Sequence, residues 1–191
     1  MNSVSRKTGE TDISVGFEPY GNGMGTIGTG IGFFDHMLTA FKVHGGFDME
    51  VDAKGDLAVD CHHTVEDVGI VLGRAIAGAL GSKAGIARFG SAYVPMDEAL
   101  AFACVDISAR PFLVYDAPKM APMIGGYDTE VTQEFFRSLA VNAGITLHIK
   151  VLYGENAHHM TEAVFKAAAR AIAAALKKTG SSQVLSTKGV L

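Results

Sequence analysis

The segment His62-His63-Thr64-Val65-Glu66 occurs again as His158-His159-Met160-Thr161-Glu162, 96 residues on (62 to 158). The register persists past the motif: Val68, Arg74, Ala75, Ile76, Ala77, Ala79 and Leu80 return as Val164, Arg170, Ala171, Ile172, Ala173, Ala175 and Leu176. A repeat of this length predicts two copies of one supersecondary unit. Apolar residues then recur at helical spacing (Val65, Val68, Leu72, Ile76; Val164, Ala168, Ile172), so each pair opens an amphipathic helix.

On a helix, positions three and four apart share a face, which places Glu66 beside His62 and His63, and Glu162 beside His158 and His159. Neighbouring positions point roughly 100° apart. One ion therefore cannot easily take both members of a pair, and each pair is expected to divide between two ions. Further ligands must then come from elsewhere in the chain or from another subunit. A single pair could equally be surface or capping residues; two pairs with a Glu at one offset favour metal. Imidazole with carboxylate suits Zn, Mn, Fe, Ni or Co.

The rest of the chain limits the alternatives. Apolar residues make up 48% and charged ones 19% of 191 residues, which fits one compact unit with a real core. A formal charge of −4 gives no basic footprint for nucleic acid. No apolar run approaches the roughly 18 residues of a membrane span, and the first residues lack a secretory apolar region. Cys61 and Cys104 form no Cys-x-x-Cys pair, so a cytoplasmic setting is expected.

In order, residues 11–19 and 24–29 read as a hairpin about Asn22-Gly23. Glu10 precedes the first strand and, taken alone, reads as a solvated carboxylate. Phe34, Met37, Leu38 and Phe41 mark a helix bearing His36, with His44 near its end beside Gly45-Gly46. Gly28, Gly30 and Gly32 lack the complete nucleotide-loop pattern and the lysine of a P-loop. Residues 47–51 and 56–59 read as two strands about Lys54-Gly55. Beyond the first His-His helix, 88–94 pairs with 99–107 about Pro95-Met96-Asp97-Glu98, and 112–115 is a third strand. A helix follows over 130–143, then a strand over 145–153 with His148, then the second His-His helix. The fold class expected is α+β: two pseudo-repeated halves, near 10–85 and 86–180, each a mainly antiparallel sheet with helices on one face. A tail over 181–191 follows.

Six histidines (His36, His62, His63, His148, His158, His159) and two glutamates (Glu66, Glu162) give each of two ions three imidazoles and a carboxylate, with coordination positions left open for catalysis. Arg88, Arg110 and Lys188 suggest an anionic group on the substrate. A metal-dependent hydrolase would use the same ligand types. A purely structural metal assembly would need closed coordination and no anion pocket.

Several stretches together resemble one family. They are Arg6-Lys7-Thr8 with Glu10-Thr11, Thr29-Gly30-Ile31-Gly32-Phe33 with Asp35-His36-Met37-Leu38, the two His-His motifs, Arg88-Phe89-Gly90, Pro95-Met96-Asp97-Glu98, Asp106-Ile107-Ser108-Ala109-Arg110-Pro111 and Ser186-Thr187-Lys188-Gly189. Running in order from residue 6 to the end, they resemble imidazoleglycerol-phosphate dehydratase, a hydro-lyase of histidine biosynthesis. The resemblance implies two Mn(II) ions on the eight ligands above, substrate contact from Glu10, and a phosphate pocket of Arg88, Arg110, Ser186 and Lys188. It also implies a homo-oligomer of twenty-four subunits with metal sites shared between chains. The substrate imidazole, as imidazolate, would bridge the two ions while imidazole glycerol phosphate loses water to give imidazole acetol phosphate. Glu10 is the first candidate for the base and Glu162 the second. Two positions depart from the family pattern: Ala40 stands where Gln is usual, which removes a phosphate contact, and Cys61 stands where an acidic residue is common.

Overall fold

A computed structural model describes residues 1–189. Of the tail expected over 181–191, positions 190 and 191 lie outside the described residues. The elements are β1 (Asn2–Lys7), β2 (Thr11–Glu18), β3 (Ile27–Gly28), α1 (Gly32–Gly45), β4 (Asp48–Gly55) and α2 (His62–Leu80), then β5 (Phe89–Met96), β6 (Ala99–Asp106), β7 (Phe112–Asp116), β8 (Met123–Ile124), β9 (Tyr127–Asp128), α3 (Val131–Ala143), β10 (Thr146–Tyr153) and α4 (Ala157–Leu176). One sheet runs β1-β2-β4-β3 and the other β5-β6-β10-β7, so each half has the same strand order. The fourth strand of each half is antiparallel to the hairpin strand beside it and parallel to the short strand on its far side.

The two halves also match in register. Glu18, the last residue of β2, pairs with Asp48, the first of β4; Asp106, the last of β6, pairs with Thr146, the first of β10. Helix α1 ends on Gly46 and α3 on Gly144, each left-handed with φ 67°. That conformation suits glycine, which has no Cβ to clash. Aligned on these caps, buried Phe34, Met37, Leu38 and Phe41 fall on Thr132, Phe135, Phe136 and Leu139 of α3, also buried. The repeat legible in the two His-His helices thus extends through both four-stranded sheets and all four helices, while the short β8–β9 pair occurs in the second half alone.

Each sheet turns one face inward. Ile13, Val15, Phe17, Met49 and Val51 from the first sheet are buried, as are Ala101, Ala103, Val105, Leu147 and Ile149 from the second. Helix α2 packs on β1, β2 and β4, α4 on β5 and β6, and the helices meet as α2 on α3 and α1 on α4. Close approach of α2 to α3 uses Gly69 and Gly73, where a Cβ would lie 2.6 Å and 2.7 Å from the Phe135 and Leu139 carbonyl oxygens. Aromatic packing of Phe34, Phe135, Phe136, Phe165 and Tyr127 fills the space between the helices.

Three local expectations are corrected. Residues 11–19 and 24–29 form no hairpin, because β4 lies between β2 and β3 and takes the hydrogen bonds of both. The hairpin partner of β2 is β1, whose alternation of half-buried and exposed residues is too polar to signal a strand. Residues 56–59 form a turn, not a strand, since β4 runs unbroken through Lys54 to Gly55. Glu10 accordingly sits in the turn of the β1–β2 hairpin. No described helix is long and apolar enough to cross a membrane.

Candidate active site

Both His-His motifs sit on the first turn of a long helix, α2 or α4. Asn156 caps α4, its side chain accepting from the backbone N–H groups of His158 and His159. Asp60 does part of this at α2, accepting from the His62 N–H at 2.7 Å. The two rings of each pair diverge almost identically: centroids are 6.3 Å apart at 75° for His62 and His63, and 6.1 Å apart at 75° for His158 and His159. Neither pair converges on a single point, as the angular argument requires.

In each motif the first histidine faces the glutamate one turn on. Nε2 of His62 lies 3.6 Å from Oε2 of Glu66, and Nε2 of His158 lies 3.2 Å from Oε2 of Glu162. Because α1 packs on α4, His36 joins the second motif, its Nε2 3.4 Å from the same Glu162 oxygen. His36, His158 and Glu162 offer three ligand atoms all within 4.8 Å of one another. Two imidazoles and a carboxylate at that separation fit a divalent ion. Glu162 is buried, yet its carboxyl is held below its usual value: burial opposes this, while the Lys166 ammonium at 2.6 Å and the nearby imidazoles overcome it.

The second histidines turn Nδ1 to different carboxylates. His63 Nδ1 is 2.9 Å from Asp56 and 3.9 Å from Glu10; His159 Nδ1 is 2.7 Å from Glu98. Hydrogen bonds to Asp56 and Glu98 raise both imidazoles above the usual 6.5. Glu98 is itself lowered to about 2, first by the Asn156 backbone N–H and then by His159. By sequence, Asp56 falls in an expected strand and Glu98 in an expected turn. Neither lies at a chelating spacing from its histidine, so only the folded arrangement exposes them.

His148 stands apart from this group. It occupies the outer face of β10 between Cys104 of β6 and Val114 of β7, so a ligand role there would have to be toward another chain. Cap alignment of α1 with α3 instead pairs His36 with Glu134, which lines a cavity of about 720 Å³ with Tyr115, Lys119, Met120 and Gln133. Comparison of the two shorter helices would have picked out Glu134 from the sequence, had both glycine caps been recognised.

The residues expected to bind an anion lie around Asp106 and the tail. Arg88 grips Asp106 with two hydrogen bonds (2.7 Å and 3.1 Å) and donates to the Leu185 carbonyl at 2.6 Å, drawing the tail against β5. A cavity of about 520 Å³ lies there, walled by Arg88, Phe89, Gln183 and Leu185 to Thr187, and so includes Ser186. Arg110 also leans on Asp106, at 3.5 Å. Lys188 is exposed and follows closely, its backbone N–H donating to the Ser186 hydroxyl at 3.1 Å. Asp106 thus gathers the two arginines.

Other singled-out residues have simpler surroundings. Ala40 is buried on α1, one turn beyond His36. Cys61 is buried, and its sulfur accepts from the Asp128 N–H at 3.5 Å instead of facing the histidines. His44 sits in the last turn of α1, where burial and the Lys166 and Arg170 charges lower its pKa.

The chain is similar in sequence and fold to known proteins. A family model described as imidazoleglycerol-phosphate dehydratase matches residues 29–172. The Acetivibrio thermocellus protein of that name is 57% identical over 189 residues, covering 98% of this chain and 97% of its own length. The Methylorubrum extorquens protein is 53% identical over 191 residues, covering 99% and 98%. The Pyrococcus furiosus crystal structure superposes with a TM-score of 0.86 at 42% identity, covering 98% of this chain and all of that one. That of Staphylococcus aureus gives 0.82 at 40%, covering 93% and 99%. Fold, motif order and full-length similarity agree: the chain belongs to the imidazoleglycerol-phosphate dehydratase family.

Proposed function

We propose that this hydro-lyase is a metal-dependent enzyme of the cytoplasm that dehydrates imidazole glycerol phosphate to imidazole acetol phosphate. Family membership supports the reaction, and the His36–His158–Glu162 cluster is the observation that carries the metal requirement. Two divalent ions, Mn(II) foremost, would supply Lewis acidity that stabilises negative charge on the substrate's imidazole ring. His62, His63 and Glu66 would serve with His158, His159, His36 and Glu162 as ligands. His148 is proposed as a ligand toward a neighbouring chain, with Glu134 the rival for that coordination position.

Arg88, Arg110, Ser186 and Lys188 would hold the phosphate, the arginines exchanging part of their contact with Asp106 for bidentate bonds to the ester. Glu10, exposed at a hairpin turn 3.9 Å from His63 Nδ1, would face the bound ring. Loss of the side-chain hydroxyl from the carbon next to the ring takes water out. Glu10 removes the proton from the following carbon, and the enol left behind takes up a proton at the ring-side carbon while its hydroxyl gives one up, becoming the ketone. Glu162 is the weaker candidate for base because its two oxygens are already engaged by Lys166 and by the two imidazoles.

The half-complete surroundings of His62 and Glu66 support sharing of sites between chains in a large homo-oligomer, for which twenty-four subunits is the proposed number. The test is a water-loss assay on protein stripped by chelator and then reloaded with Mn(II). Activity should vanish and return, whereas hydrolytic release of phosphate, or dehydration unaffected by stripping, would reject the reading.

A further inference from the structure

The doubled architecture gives each half an internal control. Glu10 immediately precedes β2, and Glu98 immediately precedes β6, the corresponding strand of the other half. They are one position in the repeat. Glu98 closes on its histidine, His159 Nδ1, at 2.7 Å. Glu10 stops 3.9 Å from His63 Nδ1, because Asp56 already holds that nitrogen at 2.9 Å.

Asp56 has no such twin. The offset of the His-His helices places Leu152 at its position, and the offset of the fourth strands places Gly154 there; neither carries a carboxylate. The same contact has therefore been recruited twice from unrelated places. An ionised carboxylate can only accept, so Nδ1 donates in both cases and Nε2 keeps its lone pair. Outer partners of this kind fix the tautomer and aim of metal-bound imidazoles. Asp56 also carries a cost that packing does not explain, since its Oδ1 is buried with no hydrogen-bond partner.

We propose that Asp56 and Glu98 are positioning residues that aim Nε2 of His63 and His159 at the ions, and that Asp56, by taking this task in the first half, releases the turn carboxylate Glu10 to act on substrate. The inference rests on the metal reading above. Repeat-equivalent glutamates have thereby divided their labour: one is bound to a ligand and the other is free.

The test is Mn(II) affinity, read by chelator competition on purified full-length protein, for wild type, Asp56→Asn, Glu98→Gln, Glu10→Gln and the Asp56→Asn/Glu10→Gln pair. Asp56→Asn and Glu98→Gln should each weaken one class of ion by about 10–100-fold, the usual cost of losing such a partner. Glu10→Gln should leave affinity within about threefold, since Glu10 holds no ligand in place. The pair should bind like Asp56→Asn alone. Glu98 also accepts from the Glu155 and Asn156 N–H groups that lead into α4, so Asp56→Asn is the variant whose effect cannot arise from a frayed helix. Wild-type affinity in Asp56→Asn, or a loss in Glu10→Gln as large as in Asp56→Asn, overturns the assignment. Wild-type protein that binds no Mn(II) overturns the metal reading itself and the assignment with it.

Discussion

The glutamates of the two motifs differ in how deeply they are held, and that difference sorts their roles. Glu162 is 8% exposed and engaged on both oxygens, whereas Glu66 is 42% exposed and Glu10 58%. Replacing Glu66 or Glu162 by Gln should lower ion content and turnover together. Glu10→Gln should keep both ions and the assembly while kcat falls about 10²–10⁴-fold, the range for a positioned base. Metal analysis, particle size and kcat on the three variants separate these outcomes; near wild-type turnover in Glu10→Gln moves the base to Glu162. Glu98 gives a second prediction. Its carboxyl falls from 4.5 to about 2 on folding, so its contribution to stability is present above about 4.5 and is lost as pH drops toward 2. The urea midpoint of chelated protein should fall across that window in wild type and less steeply in Glu98→Gln.

At the scale of elements, the two motif helices begin differently. Asn156 satisfies two N–H groups at the head of α4, and its replacement by Ala should cost about 1 kcal/mol of stability, a typical loss for an N-cap, measurable by denaturant midpoint. The motif histidines couple this scale to pH. Metal binding needs neutral imidazole, and the carboxylates that aim His63 and His159 also raise them above 6.5. Mn(II) affinity should therefore begin to fall above pH 6.5 as the solution is acidified. Asp56→Asn should move that onset downward, as affinity measured across pH would show.

The elements also mark how far the sequence could be read. Helices α1 to α4 were legible because 3.6-residue periodicity is a strong signal, and the β5–β6 hairpin because both strands flank a polar turn. Strand β1 was not, since Ser3, Ser5 and Lys7 give it a polar outer face and only Val4 a distinct apolar one. The false hairpin at Asn22-Gly23 followed from local turn chemistry, where long-range pairing with β4 prevailed. At the site, Glu162 followed from motif spacing, whereas His36 entered only because two ions need imidazoles beyond the two pairs. Asp56 and Glu98 did not, because their contacts to His63 and His159 cross 7 and 61 residues and are set by the sheets.

For the whole molecule, one chain brings His36, His158 and Glu162 close enough to hold an ion, while His62 is exposed and His63 and Glu66 are half-buried. If ions are shared, metal binding contributes to association by linkage. Chelation should then reduce a large particle to a smaller one, with Mn(II) restoring it; a large particle that holds no metal would count against shared sites. The most direct test of the account is the rate of water loss from imidazole glycerol phosphate, measured against bound Mn(II) as stripped protein is titrated. Turnover is predicted to rise with occupancy and level off at two ions per chain. Full turnover by protein holding none would contradict it.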